Sequence, residues 1–552
     1  MIQNSNLKRS WTTRRDEKNE RMQKADPHLE GKYVATDHIT EVLETLIQPK
    51  DRVVLEGNNQ KQASFLSTAL ASVNSDIVKE LHMIMSSISR PEHLDIFEKG
   101  IANRIDFAFA GPQSLRVAQM IDDGQMEMGN IHTYLELYGR LFIDLIPSIA
   151  LVAADKADEA GNLYTGANTE ETPTIIEATA FRQGIVIVQV NEQVEELPRV
   201  DIPASWVDVI VVAKDPYQLE ALFTRNPRHI SEIQILMAMI TIRGVYEKHQ
   251  VQSLNHGIGF NTAAIELLLP TYGESLGLRG KICQHWAVNP HPTLIPAIES
   301  GWIDSIHCFG GERGMEEYIS ARSDVFFLGR DGTLRSNRTL SQMAGQYAVD
   351  LFIGSTLQMD YEGNSSTVTK GRLAGFGGAP NMGHDPKGRR HSTPAWLDMM
   401  KPEETLVRGK KLVVQMMETH QQGNNPVFVE RLDAIDVAKE ANLDIPPVMI
   451  YGEDVTHLVT EEGVAYLYKT NSIAERKEAI AAVAGVTPAG QEQSLKQKER
   501  LRSQGIVAYP EDLGIRRSDA KRSLLAAQSV EDLVTWSDDL YDPPQQFRSY
   551  WS

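Results

Sequence analysis

The sequence predicts an α/β protein made of two similar halves packed face to face, followed by a helical C-terminal tail. Three observations predict it. From Asp51 an apolar Val-Val-Leu run enters Glu56-Gly57-Asn58-Asn59-Gln60, then a helical pattern through Phe65, Leu66, Ala69 and Leu70. That is strand, loop, helix, the first step of an α/β layer. The same order restarts at Val251: a short apolar run, His256-Gly257-Ile258-Gly259-Phe260-Asn261, then a helical pattern holding Ala263, Ala264, Leu267 and Leu268. Between the two openings, strand candidates at 106–110, 148–154, 185–190 and 207–212 alternate with helical stretches, as in parallel βαβ units.

In order, residues 1–30 are charged and form a polar N-terminal arm. Residues 31–228 make the first α/β unit, with turn signals at Gly161-Asn162 and Pro198. Residues 229–470 make the second, with strands at 281–286, 305–309, 325–328, 350–354 and 455–460. The run Leu236-Met237-Ala238-Met239 is core. From 471 to 552 the composition changes: a helix over 474–484, a stretch rich in Gln, Lys and Arg, and a stop at Asp542-Pro543-Pro544.

The chain has 552 residues, 55 Lys and Arg against 74 Asp and Glu, and a net charge of −19. Such a field repels nucleic acid and anionic membranes. Two cysteines without a CxxC pair argue against a disulfide scaffold or a thiolate zinc site. No histidine spacing suggests a metal site. The N-terminus lacks a signal-peptide apolar core. The apolar stretch 141–154 is interrupted by Asp144 and Pro147 and is too short for a bilayer. The expectation is a cytoplasmic protein without a bound metal.

Against the acidic background, Lys370 to His391 is locally basic. It carries Lys370, Arg372, Lys387, Arg389 and Arg390 around Gly375-Phe376-Gly377-Gly378-Ala379-Pro380. Successive N–H groups in such a loop can form an anion-binding concavity. It reads as an acyl-thioester site, with Gly377, Gly378 and Ala379 N–H groups as oxyanion donors; Pro380, lacking an N–H, ends the run. One such donor is typically worth ~3–4 kcal/mol. Asn58, Asn59 and Gln60 follow a strand end, where open α/β sheets bind ligands. Their amides can bind a carboxylate or a thioester carbonyl, or equally cap the following helix. Gly57, Gly257 and Gly259, with Asn261 beside them, let backbone approach an acyl or phosphate group. Arg389 or Arg390, helped by His384 or His391, suits a second substrate carboxylate, or phosphates, or a solvated basic turn.

Five ordered segments resemble the coenzyme A-transferase superfamily: Asp158-Glu159-Ala160-Gly161-Asn162; the run from Ile187 to Asn191, with Val200-Asp201-Ile202-Pro203 after it; Leu254-Asn255-His256-Gly257-Ile258-Gly259; Gly375-Phe376-Gly377-Gly378-Ala379; and the run from His457 to Ala465. Within it, the loop Phe376-Gly377-Gly378-Ala379-Pro380-Asn381-Met382-Gly383-His384-Asp385 and the tail ending Leu-Tyr-Asp-Pro-Pro are similar to malonate decarboxylase α subunits, relatives of citrate lyase α subunits. The resemblance implies two coenzyme A-transferase-like α/β/α halves with the site between them. It implies exchange of acetyl for malonyl on an acyl carrier protein whose arm is a phosphoribosyl-dephospho-CoA group, with decarboxylase subunits as further partners, malonate as substrate and acetate as product. Asn381, in the loop, joins the substrate-binding set.

Many superfamily members carry a nucleophilic glutamate after the Gly-Ile-Gly loop, where this chain reads Lys281-Ile282-Cys283-Gln284-His285-Trp286-Ala287-Val288-Asn289. Its absence favours direct attack by the malonate carboxylate through a transient mixed anhydride, with Gln284 and Asn289 as hydrogen-bond donors and Glu312 as fallback nucleophile. The rival readings are a free coenzyme A-transferase or acyl-CoA hydrolase with a glutamate nucleophile, and a non-catalytic scaffold.

Overall fold

In the computed structural model, residues 5–58, 61–217, 226–335, 337–384, 411–421 and 425–548 are described. The N-terminal helix α1 (Ser5–Ala25) is not a free arm. Lys18 Nζ lies 2.7 Å from Asp208, and Arg21 pairs with Asp51 at 2.6 Å, which fixes the helix to the first sheet.

The first sheet begins with β1 (Leu29–Glu30) and β2 (Tyr33–Val34), then α2 (Ile39–Leu46), β3 (Arg52–Leu55) and α3 (Ser64–Leu70). It continues through β4 (Leu81–Ser87), α4 (Glu92–Glu98), β5 (Ala102–Phe109), α5 (Ser114–Asp122), β6 (Glu127–Ile131) and α6 (Tyr134–Ile143). Last come β7 (Ile149–Asp158), β8 (Leu163–Tyr164), α7 (Thr172–Phe181), β9 (Ile185–Val194) and β10 (Val209–Val212). The order is β1-β2-β10-β9-β7-β3-β4-β5-β6, with β8 on β7. All pairings except β1–β2 and β7–β8 are parallel. Parallel central strands are covered on both faces and read as continuous apolar runs. That is why Ile149 through Ala154 is buried residue by residue.

The second sheet follows α8 (Glu232–Thr241), whose Leu236, Met237, Ala238 and Met239 are all core. It is built from β11 (Ser253–His256), α9 (Phe260–Leu268), β12 (His285–Val288), α10 (Ile295–Glu299), β13 (Ser305–Cys308), α11 (Glu316–Ala321), α12 (Arg338–Ala348) and β14 (Leu351–Gly354). Four short strands, β15 (Gln358–Asp360), β16 (Ser365–Ser366), β17 (Val368–Thr369) and β18 (Arg372–Leu373), precede the turn α13 (Ala379–Met382). Strands Leu412–Met416, His457–Thr460, Gly463–Tyr466 and Val507–Ala508 complete the eight-stranded sheet beyond β14. The last two pairings are antiparallel, so His457 to Tyr466 forms a hairpin and part of the C-terminal tail supplies the edge strand.

Two expected strands differ. Residues 281–284 form a turn, with Cys283 at φ 61°, and the strand starts at His285. Residues 325–328 contribute only isolated bridges, Phe326 to Ile306 and Leu328 to Leu334.

The sheet orders locate the sites. From β3 the chain moves through β4, β5 and β6 to one side, then returns to β7 on the other. From β11 it moves through β12 and β13, then returns to β14. Ligands in open α/β sheets bind outside the strand C-termini where the order reverses. The Gly57 loop follows β3 and the Gly257 loop follows β11.

Candidate active site

The Gly375 loop, between the two-stranded β17–β18 ribbon and α13, bonds to the first sheet through main chain. Gly375 forms an antiparallel bridge with Phe109, and Ala110 N–H donates to Ala374 O at 2.8 Å. Phe376 and Gly377 N–H both donate to Ala108 O, at 2.7 and 2.9 Å, and Tyr134 N–H donates to Gly377 O at 3.1 Å. Gly375 and Gly377 sit at φ +75° and +57°, the left-handed region that favours glycine. A side chain at Gly375 would also enter the space of Ala108 O.

This geometry revises the expected donor run. Gly377 N–H is engaged by Ala108, and Ala379 N–H by Phe376 O at 3.3 Å. Among the described residues, Gly378 N–H is the one of the three without an acceptor. Pro380 sits in the first turn of α13, where its missing N–H breaks no helix bond. Asn381 Oδ1 accepts from Leu135 N–H at 3.4 Å, and His384 Nδ1 lies 3.1 Å from Asp454. Arg389, Arg390, Asn59 and Gln60 lie outside the described residues.

The Gly57 loop meets the same region. A Cβ at Gly57 would lie 2.8 Å from the His93 ring and 3.0 Å from Ser87 O. Ser87 Oγ in turn lies 3.0 Å from Tyr134 OH, and the Tyr134 ring would be 3.2 Å from a Cβ at Gly377. Asn58 is fully buried. Its Oδ1 accepts from Lys61 N–H at 3.0 Å, the helix-entry role, while its Nδ2 reaches Glu171 Oε1 at 3.5 Å.

Behind these loops lies a buried polar network that sequence reasoning missed. Glu171 accepts from Ser86 Oγ at 2.6 Å and Tyr138 OH at 2.5 Å. Glu170, at φ +47°, accepts from Asn168 at 3.0 Å and pairs with Arg338 of α12 at 2.7 Å. The Arg338 guanidinium stacks 4.5 Å over the Tyr134 ring. Glu56 accepts from Ala153 N–H at 2.8 Å and Thr172 Oγ1 at 2.6 Å, and Lys61 Nζ donates to Thr165 O at 3.1 Å. Burial pushes the Glu56 carboxyl up to about 7 and the Lys61 ammonium down, because each charge has left water. Burial likewise raises Glu170. A non-glycine residue in the left-handed region, a buried ion pair to α12 and displaced pKa values are features that cluster at functional sites. The adjacent acids Glu170-Glu171 just before Thr172-Pro173 were the available sequence signal.

The second-sheet loop joins more indirectly. Gly257 packs its α-carbon against β14: a Cβ there would be 3.1 Å from both Ile353 O and Gly354 Cα. Phe352 would be 2.9 Å from a Cβ at Gly354 and 3.0 Å from one at Gly383, so its ring spans from the Gly257 side to α13. Gly259 has open space and extended backbone. Asn261 Nδ2 donates to Ser355 Oγ at 3.1 Å and Met416 O at 3.3 Å. Asn289 follows β12 on the same strand-end side, and its Oδ1 is buried without a donor. Gln284 is not brought here. It precedes β12, at the N-terminal edge of the sheet, and donates to Asp304 at 2.7 Å. Glu312 is buried in the turn after β13.

Away from this region, the fold brings ligand atoms of His28, His38 and Glu41 within 4.8 Å of one another on the surface, a grouping that linear spacing did not suggest. A cavity of about 750 Å³ opens beside β6, lined by Asn103, Gln125, Asn130 and Asn442 among others; none of the groups above lines it. No described helix is long and apolar enough to cross a membrane.

The glycine loops at two sheet switch points, backed by buried acids, sit in a fold of the coenzyme A-transferase type. An acyl-CoA transferase from Escherichia coli O157:H7 shares the fold at 14% identity and TM-score 0.53, over 80% of this chain and 89% of that one. The chain belongs to the malonate decarboxylase α-subunit family: the family model described as malonate decarboxylase, alpha subunit, transporter, matches residues 10–551. An acetyl-S-ACP:malonate ACP transferase from Malonomonas rubra is 55% identical over 97% of this chain and 98% of its own length. A chain of a Pseudomonas malonate decarboxylase hetero-tetramer, solved in complex with malonate, is 63% identical with TM-score 0.93, covering 98% of this chain and 99% of that one.

Proposed function

We propose that this chain exchanges acetyl for malonyl on a carrier-protein thioester: acetyl-S-ACP plus malonate gives malonyl-S-ACP plus acetate. The 55% identity to a transferase of that name, over nearly the whole of both chains, carries the reading. Residues 31–228 and 229–470 act as two coenzyme A-transferase-like units with the site between them, and 471–552 as an extension.

A malonate oxygen attacks the thioester carbonyl carbon, and the oxyanion forms beside Gly378 N–H. Collapse expels the carrier thiolate and leaves an acetyl–malonyl anhydride. The thiolate then attacks the malonyl carbonyl, and acetate departs with the bridging oxygen. Holding these partners in line can supply roughly 7–11 kcal/mol in favourable cases. The carrier arm is a phosphoribosyl-dephospho-CoA group, whose phosphates suit the basic residues of the 370–391 segment. Carrier and decarboxylase subunits are the partners, in keeping with the hetero-tetramer formed by the Pseudomonas relative.

The test supplies the purified chain with acetylated carrier and labelled malonate. Malonyl thioester formed only when both substrates are present supports direct transfer. Acyl label retained on the protein from the thioester alone refutes it in favour of a glutamyl route, with Glu312 the first residue to examine. No transfer from any thioester leaves a scaffold.

A further inference from the structure

We infer that Arg338 and Gln342, one turn apart on α12, form the subsite for the second carboxylate of the attacking acid, so that the site selects a dicarboxylate over a monocarboxylate; this rests on the transferase reading above. Three observations place these two side chains at the loop. Arg338 is 6% exposed, buried where α12 meets α6 and the start of α7. Tyr134 touches both elements: the Arg338 guanidinium is 4.5 Å from its ring centre, and a Cβ at Gly377 would be 3.2 Å from its ring. Gln342 is 4% exposed, its amide fills the space a Cβ at Gly378 would need, and its Oε1 is buried without a donor. One helical turn thus sets an amide against Gly378 and, four residues earlier, a cation over the Tyr134 ring that touches Gly377.

The chemistry needs such a pair. Malonate and acetate present the same reacting carboxylate, and they differ by a second carboxylate one methylene away. A group that reads that second charge lets the site favour malonate over acetate as the attacking acid. A guanidinium fork reads carboxylates with two parallel hydrogen bonds, and burial strengthens the contact. Glu170 neutralises Arg338; in the substrate complex the fork serves the incoming carboxylate as well. Gln342 adds a donor when its amide turns its nitrogen toward the ligand.

The test compares kcat/KM for labelled malonate with that for labelled acetate, each entering the acetyl-carrier thioester, in wild type, Arg338→Lys and Gln342→Leu. The malonate-to-acetate ratio falls about 10–100-fold in Arg338→Lys, the span expected for losing hydrogen bonds to a charged group, and about threefold or more in Gln342→Leu. Should Arg338→Lys fail to fold, Gln342→Leu decides. A ratio within twofold of wild type in the folded variants overturns the subsite. Wild type that exchanges neither acid refutes the transferase reading itself, a separate outcome.

Discussion

The most exacting consequence of the loop geometry concerns Gly375→Ala. The backbone there is at φ +75°, where an alanine costs about 1–2 kcal/mol. The new methyl would also overlap Ala108 O, the carbonyl that receives the Phe376 and Gly377 N–H groups. Either the strain is retained, or the loop lifts off. Lifting gives up those two bonds and the one from Ala110 to Ala374, each worth roughly 1 kcal/mol net. The expected loss on lifting is therefore about 3 kcal/mol in the stability of the docked loop, with a displaced Gly378 N–H, which alone should slow transfer about 10²–10³-fold. Gly371 is the matched control, at φ +77° with nothing within 4 Å of a Cβ. Gly371→Ala should lose only the 1–2 kcal/mol of left-handed backbone strain and keep its activity. Acetyl-carrier and labelled malonate report transfer, and urea unfolding reports stability. Equal activity and stability in the two alanine variants would refute the account of the loop.

Tyr138→Phe removes one of the hydroxyl donors to buried Glu171 and should destabilise the fold by about 1.5–3 kcal/mol in urea melts; no change would mean Glu171 does not depend on it. His249 and His457 touch through their Nε2 atoms at 2.9 Å, which requires one protonated and one bare nitrogen. Burial holds His249 down at about 4 and His457 well below its ordinary value. Because both are depressed, this stability is present above pH 6.5 and is lost as pH falls toward 4, by up to about 3 kcal/mol for His249. His249→Phe should flatten that slope in thermal melts across pH, and an unchanged slope would exclude the pair. Cys283 and Cys308 are buried and their thiols are pushed up by burial. Iodoacetamide should leave the native chain unmodified and fully active, as read by mass spectrometry.

Much of the architecture was legible because parallel strands buried on both faces leave unbroken apolar runs, as at Ile149 to Ala154 and Ile185 to Val190. The glycine loops were legible because close backbone approach removes side chains, as at Gly57 and Gly257. Strand β4 was not, since Leu81-His82-Met83-Ile84-Met85 carries one β-branched residue and reads equally as helix. The position of Gln284 was not legible: the turn through Cys283 delays the strand to His285, so Gln284 lies just before it, at the N-terminal edge of the sheet. The partners of the central acids were invisible for another reason. Glu170 and Arg338 are 168 residues apart, and only the folded chain places the α12 guanidinium beside the carboxylate that precedes α7. Donor capacity is also a three-dimensional property. Nothing in Gly-Gly-Ala says that two of its N–H groups will be spent on Ala108 and Phe376.

That single carbonyl of Ala108 has a further meaning. By receiving two amides from the Gly375 loop it makes the undocking of that loop a chemically addressable event. The amides of Phe376 and Gly377 exchange with deuterium when the clasp opens, so their exchange rate is a clock for undocking of the loop from the first sheet. A thioester arm that seats between the sheets would slow that clock, and one that merely rests on the rim would leave it running.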